Sequence, residues 1–244
     1  MRYLLKLSYD GSQFCGWQIQ PNDPSVQQKV EWALSTILGT KTTVTGAGRT
    51  DTGVNASCYY AHFDSEKQLD IVQTRYKLNA ILPSSIAISE VRKVADDFHA
   101  RFDALRREYT YFLHREKDPF ADKFSLLCSY PLDFEAMNEA AGYLLGEHDF
   151  SCFEKTGADN KTSICTVSEA AWYKKDDLHW YFKIAADRFL RNMVRAIVGT
   201  LLEVGRGKRG IEDFRTVLDG GTRSDAGESV PGYALFLTGI DYQE

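Results

Sequence analysis

Gly46-Ala47-Gly48-Arg49-Thr50-Asp51-Thr52-Gly53-Val54-Asn55-Ala56 sets one aspartate in a loop of glycines and small residues. Such a backbone can turn sharply and approach a ligand closely. Apolar and β-branched stretches flank the loop, Thr42 to Thr45 before it and Ser57 to Phe63 after it, and these read as short strands. By composition alone the segment could be an ordinary hairpin tip with a solvated carboxylate. The arginine two residues ahead of Asp51, at the tip of a strand-loop-strand, points instead to a site.

Two familiar chemistries fit only part of this phrase. Gly46-x-Gly48 suggests a phosphate cradle, but no Lys-Ser/Thr follows and no third glycine stands at the dinucleotide spacing. Asp51-Thr52-Gly53 is the triplet of aspartic proteases, whose chemistry needs two such aspartates sharing one proton. No second Asp-Thr/Ser-Gly occurs in the chain, which excludes a two-lobed protease.

The chain around the loop is long enough for one large core or two moderate ones, with 244 residues of which 43% are hydrophobic. No run of 18 apolar residues occurs, and Met1 to Leu7 alternates like a strand rather than a signal peptide. The expectation is a soluble, cytoplasmic protein. Five cysteines (15, 58, 128, 152 and 165) form no C-x-x-C pair, which fits reduced thiols, and with five scattered histidines no metal site is expected. A net charge of −5 argues against a nonspecific nucleic-acid coat. It leaves room for a local basic face, for which three segments qualify: His99, Arg101, Arg106 and Arg107; Arg188, Arg191 and Arg195; Arg206, Lys208 and Arg209.

Periodicity outlines an α+β chain. Residues 3 to 9 alternate as a strand. Ser25 then caps a helix that repeats Val26, Val30, Ala33 or Leu34, and Ile37 and ends at Gly39. Further elements are expected as a helix near 69–80, strands near 86–94 and 106–114, a helix at 133–145, strands near 163–173 and 179–185, a helix at 188–204 and a closing strand at 233–241. On that helix positions 188, 191 and 195 would share a face. Two comparable sets suggest two lobes, 1–104 and 105–244. Gly157 to Lys161 and Gly220 to Gly227 read as polar loops able to stay mobile until a ligand binds.

The whole phrase Gly46 to Val54 resembles the catalytic loop of the tRNA pseudouridine synthases of the TruA family. Four further stretches follow that family's order. Tyr9-Asp10-Gly11-Ser12-Gln13-Phe14-Cys15-Gly16-Trp17-Gln18-Ile19-Gln20 resembles its amino-terminal signature. Phe98-His99-Ala100-Arg101-Phe102 with Arg106-Arg107-Glu108-Tyr109-Thr110-Tyr111 resembles its central one. Phe189 to Gly199 resembles its carboxy-terminal helix, and Val230-Pro231-Gly232-Tyr233-Ala234-Leu235 its final phrase. The match departs twice: Asn55 stands where the family usually has His, and Ala234 where it has Gly.

The resemblance implies two lobes, each with a mainly antiparallel sheet flanked by helices, the sheets joined across a central cleft that holds the site. It implies isomerisation of uridine to pseudouridine at positions 38–40 of the tRNA anticodon arm, no cofactor, and a homodimer. By the same resemblance Asp51 is the nucleophile and Arg195 keeps it ionised by favouring the charged form. Tyr109 stacks on the base and moves a proton, Leu235 walls the base, and Arg49 fills the place the flipped base leaves. Arg101, Arg106, Arg107, Arg188 and Arg191 are candidates for phosphate contacts. Attack at C6 of uracil and assistance at the ribose C1′ both remain open. A noncatalytic RNA-binding or tRNA-chaperone protein of the same fold is the alternative.

Overall fold

The structure, a computed structural model, describes residues 1–157 and 161–243. In chain order its elements are β1 (Arg2–Tyr9), α1 (Val26–Leu38), β2 (Thr45–Gly46), β3 (Asn55–Asp64), α2 (Ile71–Ile81), β4 (Ile86–Val94), β5 (Ala104–His114), β6 (Leu126–Leu127), α3 (Phe134–Gly142), β7 (Gly146–Asp149), β8 (Ile164–Lys174), β9 (His179–Ala186), α4 (Met193–Gly205), α5 (Ile211–Gly220) and β10 (Leu235–Tyr242). They are the antiparallel strands and flanking helices of an α+β protein, as the periodicity and the resemblance imply. Packing divides the chain into one unit of Met1–Leu105 with Leu237–Glu244 and a second of Arg106–Phe236. From Leu237 onward the closing strand therefore belongs with the first unit, not with the second, to which a contiguous split assigns it. A strand's sheet partner is a long-range fact that local pattern does not carry.

In the first unit the strand order is β4-β1-β3-β10, with β2 on β3. β1 pairs antiparallel with both β3 and β4. Tyr3, Leu5, Leu7 and Tyr9 are buried along one of its faces, the period-2 signature of a strand packed on a core. Val26, Val30, Ala33 and Leu34 of α1 are fully buried at helical spacing. The Ser25 hydroxyl accepts from Gln28 N–H at the start of α1, and Gly39 ends it at φ +69°, a conformation glycine adopts at little cost.

In the second unit β5, β9, β8 and β7 pair antiparallel in that order, and β6 runs parallel beside β5. α3 packs on β8, α4 and α5. Phe134 of α3 stacks on Trp180 at 3.6 Å and 7°, and Trp172, Phe182, Ile184 and Tyr111 line the buried face. Cys152 and Cys165 lie in this core, and burial pushes both thiols up to about 12, so they act as small hydrophobes.

Two expectations are corrected and one element is new. The helix read as 188–204 begins only at Met193, because Asn192 takes φ +67° and breaks the helical path. α5 had no sequence counterpart: Gly210 is its N-cap and Asp213 supplies the first-turn carboxylate. The loop of Gly220 to Gly227 is pinned, with Gly227 N–H donating to Thr200 Oγ1 at 2.9 Å and Arg223 Nη1 donating to Gly227 O at 3.0 Å. Of the other polar loop, residues 158–160 lie outside the described residues. Among those described, no helix is long and apolar enough to cross a membrane, and no cluster of His, Cys, Asp or Glu could hold a metal ion.

Candidate active site

Asp51 sits half-buried on the loop between β2 and β3. An aromatic cradle holds that loop. Trp17 and Tyr59 stack at 4.1 Å and 29°, and Tyr9 meets Tyr59 edge-on at 5.6 Å; all three are buried. The Tyr59 hydroxyl bonds to Gly48 O and lies 3.4 Å from Gly48 N. The Tyr9 hydroxyl pairs with Thr50 Oγ1 at 2.9 Å, one residue before the carboxylate. Val54 N donates to Asp51 O at 3.1 Å and closes the turn.

The glycines of this region serve close approach more than turning. A side-chain carbon on Gly46 would strike Trp17 and Tyr59, one on Gly11 would strike the Val54 carbonyl, and one on Gly16 would strike the Thr50 carbonyl. Gly11 and Gly16 belong to the Tyr9–Gln20 signature, and Gly53 N donates to Phe14 O at 3.2 Å. The amino-terminal signature is thus the floor of the Asp51 loop. Asn55, at the first departure, is buried, and its Oδ1 accepts from Gly11 N at 2.8 Å. It ties the same floor to the loop. Ala234, at the second departure, is buried in a short 3-10 turn without positive φ, so the extra methyl imposes no backbone strain.

In the second unit, Tyr109 lies half-buried on β5 opposite Ile184 and meets Phe189 edge-on at 5.1 Å and 88°. Arg195 stands in the first turn of α4. Its Nε donates to Val230 O at 2.7 Å while Val230 N donates back to Arg195 O at 3.1 Å. One residue on, the Tyr111 hydroxyl donates to Pro231 O at 3.1 Å. Burial raises the Tyr111 pKa, the Tyr233 phenol adds to that rise, and the Arg195 charge opposes it. That hydroxyl stays protonated as a fixed donor. Leu235, buried, opens β10 just after this turn.

The arginines fall into different environments. Arg49 is exposed on the loop beside Asp51, and Arg101 is exposed with its guanidinium 5.6 Å from the Phe102 ring. Arg106 and Arg107 are adjacent on β5 and so face opposite ways. Arg107 Nη1 donates to Asp187 O at 2.8 Å. Arg106 pairs with Glu108 at 3.0 Å and Glu169 at 3.2 Å, and Lys183 joins the same two carboxylates at 3.0 and 3.3 Å. Arg106 and Lys183 thus share two carboxylates in one network across β5, β9 and β8. Arg188 and Arg191 precede α4 and share no helical face with Arg195; Arg191 is exposed and Arg188 half-buried.

The sequence reading gave no role to Tyr9, Trp17, Tyr59, Asn192, Arg223 or Ser229. Tyr9, Trp17 and Asn192 lie within the signature stretches, and for the first two the spacing ahead of a glycine-rich loop was the available signal. Tyr59 stands where an aromatic in a buried strand reads as core.

A half-buried loop carboxylate on an α+β scaffold with this order of signatures fits a class of RNA-modifying isomerase. The family description "tRNA pseudouridine synthase" matches residues 7–103 and 140–243, and the chain belongs to that family. Tyr109 falls between the two matched segments. Among curated relatives, the tRNA pseudouridine synthase A of Bacteroides thetaiotaomicron is 52% identical over 245 residues, covering 100% of this chain and 91% of the relative. That of Bacteroides fragilis is 50% identical, covering 100% and 97%. That of Halalkalibacterium halodurans is 42% identical, covering 95% and 89%.

Proposed function

We propose that this chain isomerises uridine to pseudouridine in the anticodon arm of tRNA, at positions 38–40, with Asp51 as the reacting carboxylate. The observation that carries this reading is end-to-end identity of about half with named tRNA pseudouridine synthases, together with a loop whose surroundings hold Asp51 in one place. The reaction breaks the C1′–N bond, rotates the base and joins C1′ to C5, consuming nothing. A carboxylate serves either by adding to C6 or by assisting departure at C1′.

Arg195 supplies the guanidinium that keeps the carboxylate ionised, and Tyr109 gives the base a stacking face and a hydroxyl for the proton released at C5. Leu235 is the apolar wall. Arg49, exposed beside the nucleophile, takes the space of the extruded base and offsets its unstacking cost of a few kcal/mol. Arg101, Arg106, Arg107, Arg188 and Arg191 meet phosphates. The protein works in the cytoplasm as a homodimer.

Incubation with unmodified tRNA transcript and mapping by carbodiimide primer extension should reveal pseudouridine at one or more of positions 38–40. Folded protein that binds the tRNA and yields no product would favour the noncatalytic alternative. Light scattering should give twice the single-chain 27.6 kDa.

A further inference from the structure

The segment from Thr222 to Pro231 runs alongside α4, and a single hydroxyl gathers its contacts. Asn192 Nδ2 donates to Ser229 Oγ at 2.5 Å, and Arg223 Nη2 donates to the same oxygen at 2.9 Å. Asn192 is the one described non-glycine residue at positive φ, and it is the residue from which α4 starts. Arg223 also reaches the Gly227 and Ala226 carbonyls from Nη1, at 3.0 and 3.4 Å. Gly199 leaves no room for a side-chain carbon against Glu228 O, so the segment lies directly on the helix. The residue after Ser229 is Val230, whose carbonyl receives Arg195 Nε.

We infer that Asn192, Arg223 and Ser229 are positioning residues for the isomerisation: the Ser229 hydroxyl, clamped by two donors, fixes the Val230 carbonyl and through it the plane of the Arg195 guanidinium. The inference rests on the role given to Arg195 in the proposed function. A guanidinium serves a carboxylate through a rigid planar fork, so its orientation matters as much as its charge. A residue held at Nε by a backbone carbonyl has its fork aimed by that carbonyl. Moving the carbonyl turns the fork. The conformational cost of Asn192 at φ +67° fits this role, because Asn tolerates that region better than other side chains and here its amide reaches the hub.

The test compares Ser229→Ala with Ser229→Thr and Asn192→Gly. Ser229→Ala removes the acceptor shared by Asn192 and Arg223, whereas Ser229→Thr keeps it. Asn192→Gly keeps the φ and removes only the amide. Single-turnover rates on unmodified tRNA should fall on the order of ten- to a hundredfold for Ser229→Ala and Asn192→Gly, the scale expected of a misplaced reacting group. KM for tRNA should stay within about threefold, and Ser229→Thr should recover most of the rate. Arg195→Gln, which removes the charge, is measured alongside. If it retains full rate, the role given to Arg195 fails. If it loses rate while Ser229→Ala and Asn192→Gly do not, the positioning inference alone is overturned. Loss by Ser229→Ala that the threonine does not recover, or a parallel rise in KM, would also overturn it, leaving the contact as plain packing.

Discussion

The two loops that carry the proposed chemistry are immobilised by different physics. The Asp51 loop rests on aromatic faces, Trp17 against Tyr59 with Tyr9 at the edge, and on glycines that let backbone lie against backbone. The 222–231 segment that holds Arg195 is fixed by polar donors meeting at Ser229 and by Gly199 on the helix. Apolar packing is insensitive to charge, so it can hold a carboxylate's loop without competing for the carboxylate. Directional hydrogen bonds suit an arginine, whose usefulness lies in the angle of its fork.

Breaking the aromatic side should cost most. Trp17→Ala removes a buried ring and is expected to destabilise the protein by about 3–5 kcal/mol, read as a lower urea midpoint; an unchanged midpoint would mean the cradle is not structural. A second effect of comparable reach comes from His62. This ring is buried beside the Asp51-bearing unit's core, its Nδ1 accepts from Ala100 N at 3.1 Å, and its pKa is lowered from 6.5 to about 4, chiefly by burial. The unfolded chain takes up the proton near 6.5 and the folded one only near 4. Stability is therefore full above about pH 6.5 and declines as pH falls towards 4, by up to about 3 kcal/mol. His62→Asn, which keeps an acceptor and cannot titrate, should flatten that limb of the stability profile.

Sharpening the comparison takes gentler changes. Gly199→Ala forces α4 and Glu228 O apart and should cost about 1–3 kcal/mol, with activity falling further than stability because the Arg195 carbonyl partner moves. Tyr59→Phe removes only the hydroxyl at Gly48 and should cost about 1–2 kcal/mol. Its catalytic rate should drop while tRNA affinity holds. If Gly199→Ala and Tyr59→Phe proved interchangeable in effect, the contrast between the two loops would collapse.

Much of this architecture was visible in the chain. The strand at 86–94 and the helix closed by Ser25 and Gly39 were legible because caps and periodicity are local. The 188–204 helix was misjudged because its first residues carry helix-compatible side chains, while the break at Asn192 is a backbone choice enforced by Ser229, 37 residues on. α5 was missed because its N-cap is Gly210, which offers no capping side chain for a sequence pattern to show. Arg209 turns out to be paired with Glu203 at 2.9 Å. The Asp51 loop was recognised from its residues, yet its support was not, because a Trp-Tyr stack joins positions 17 and 59 that no spacing rule connects.

The central claim is that Asp51 is the reacting carboxylate, and Asp51→Asn tests it most directly. The substitution keeps size and hydrogen-bonding shape while removing charge and nucleophile. A polar exchange on a half-buried loop should cost less than about 2 kcal/mol of stability. Pseudouridine formation on unmodified tRNA should fall by many orders of magnitude, with tRNA affinity within about tenfold of the parent, since phosphate contacts carry most of the binding. Turnover by the purified variant above what trace deamidation explains, or loss of tRNA binding in step with activity, would contradict the account.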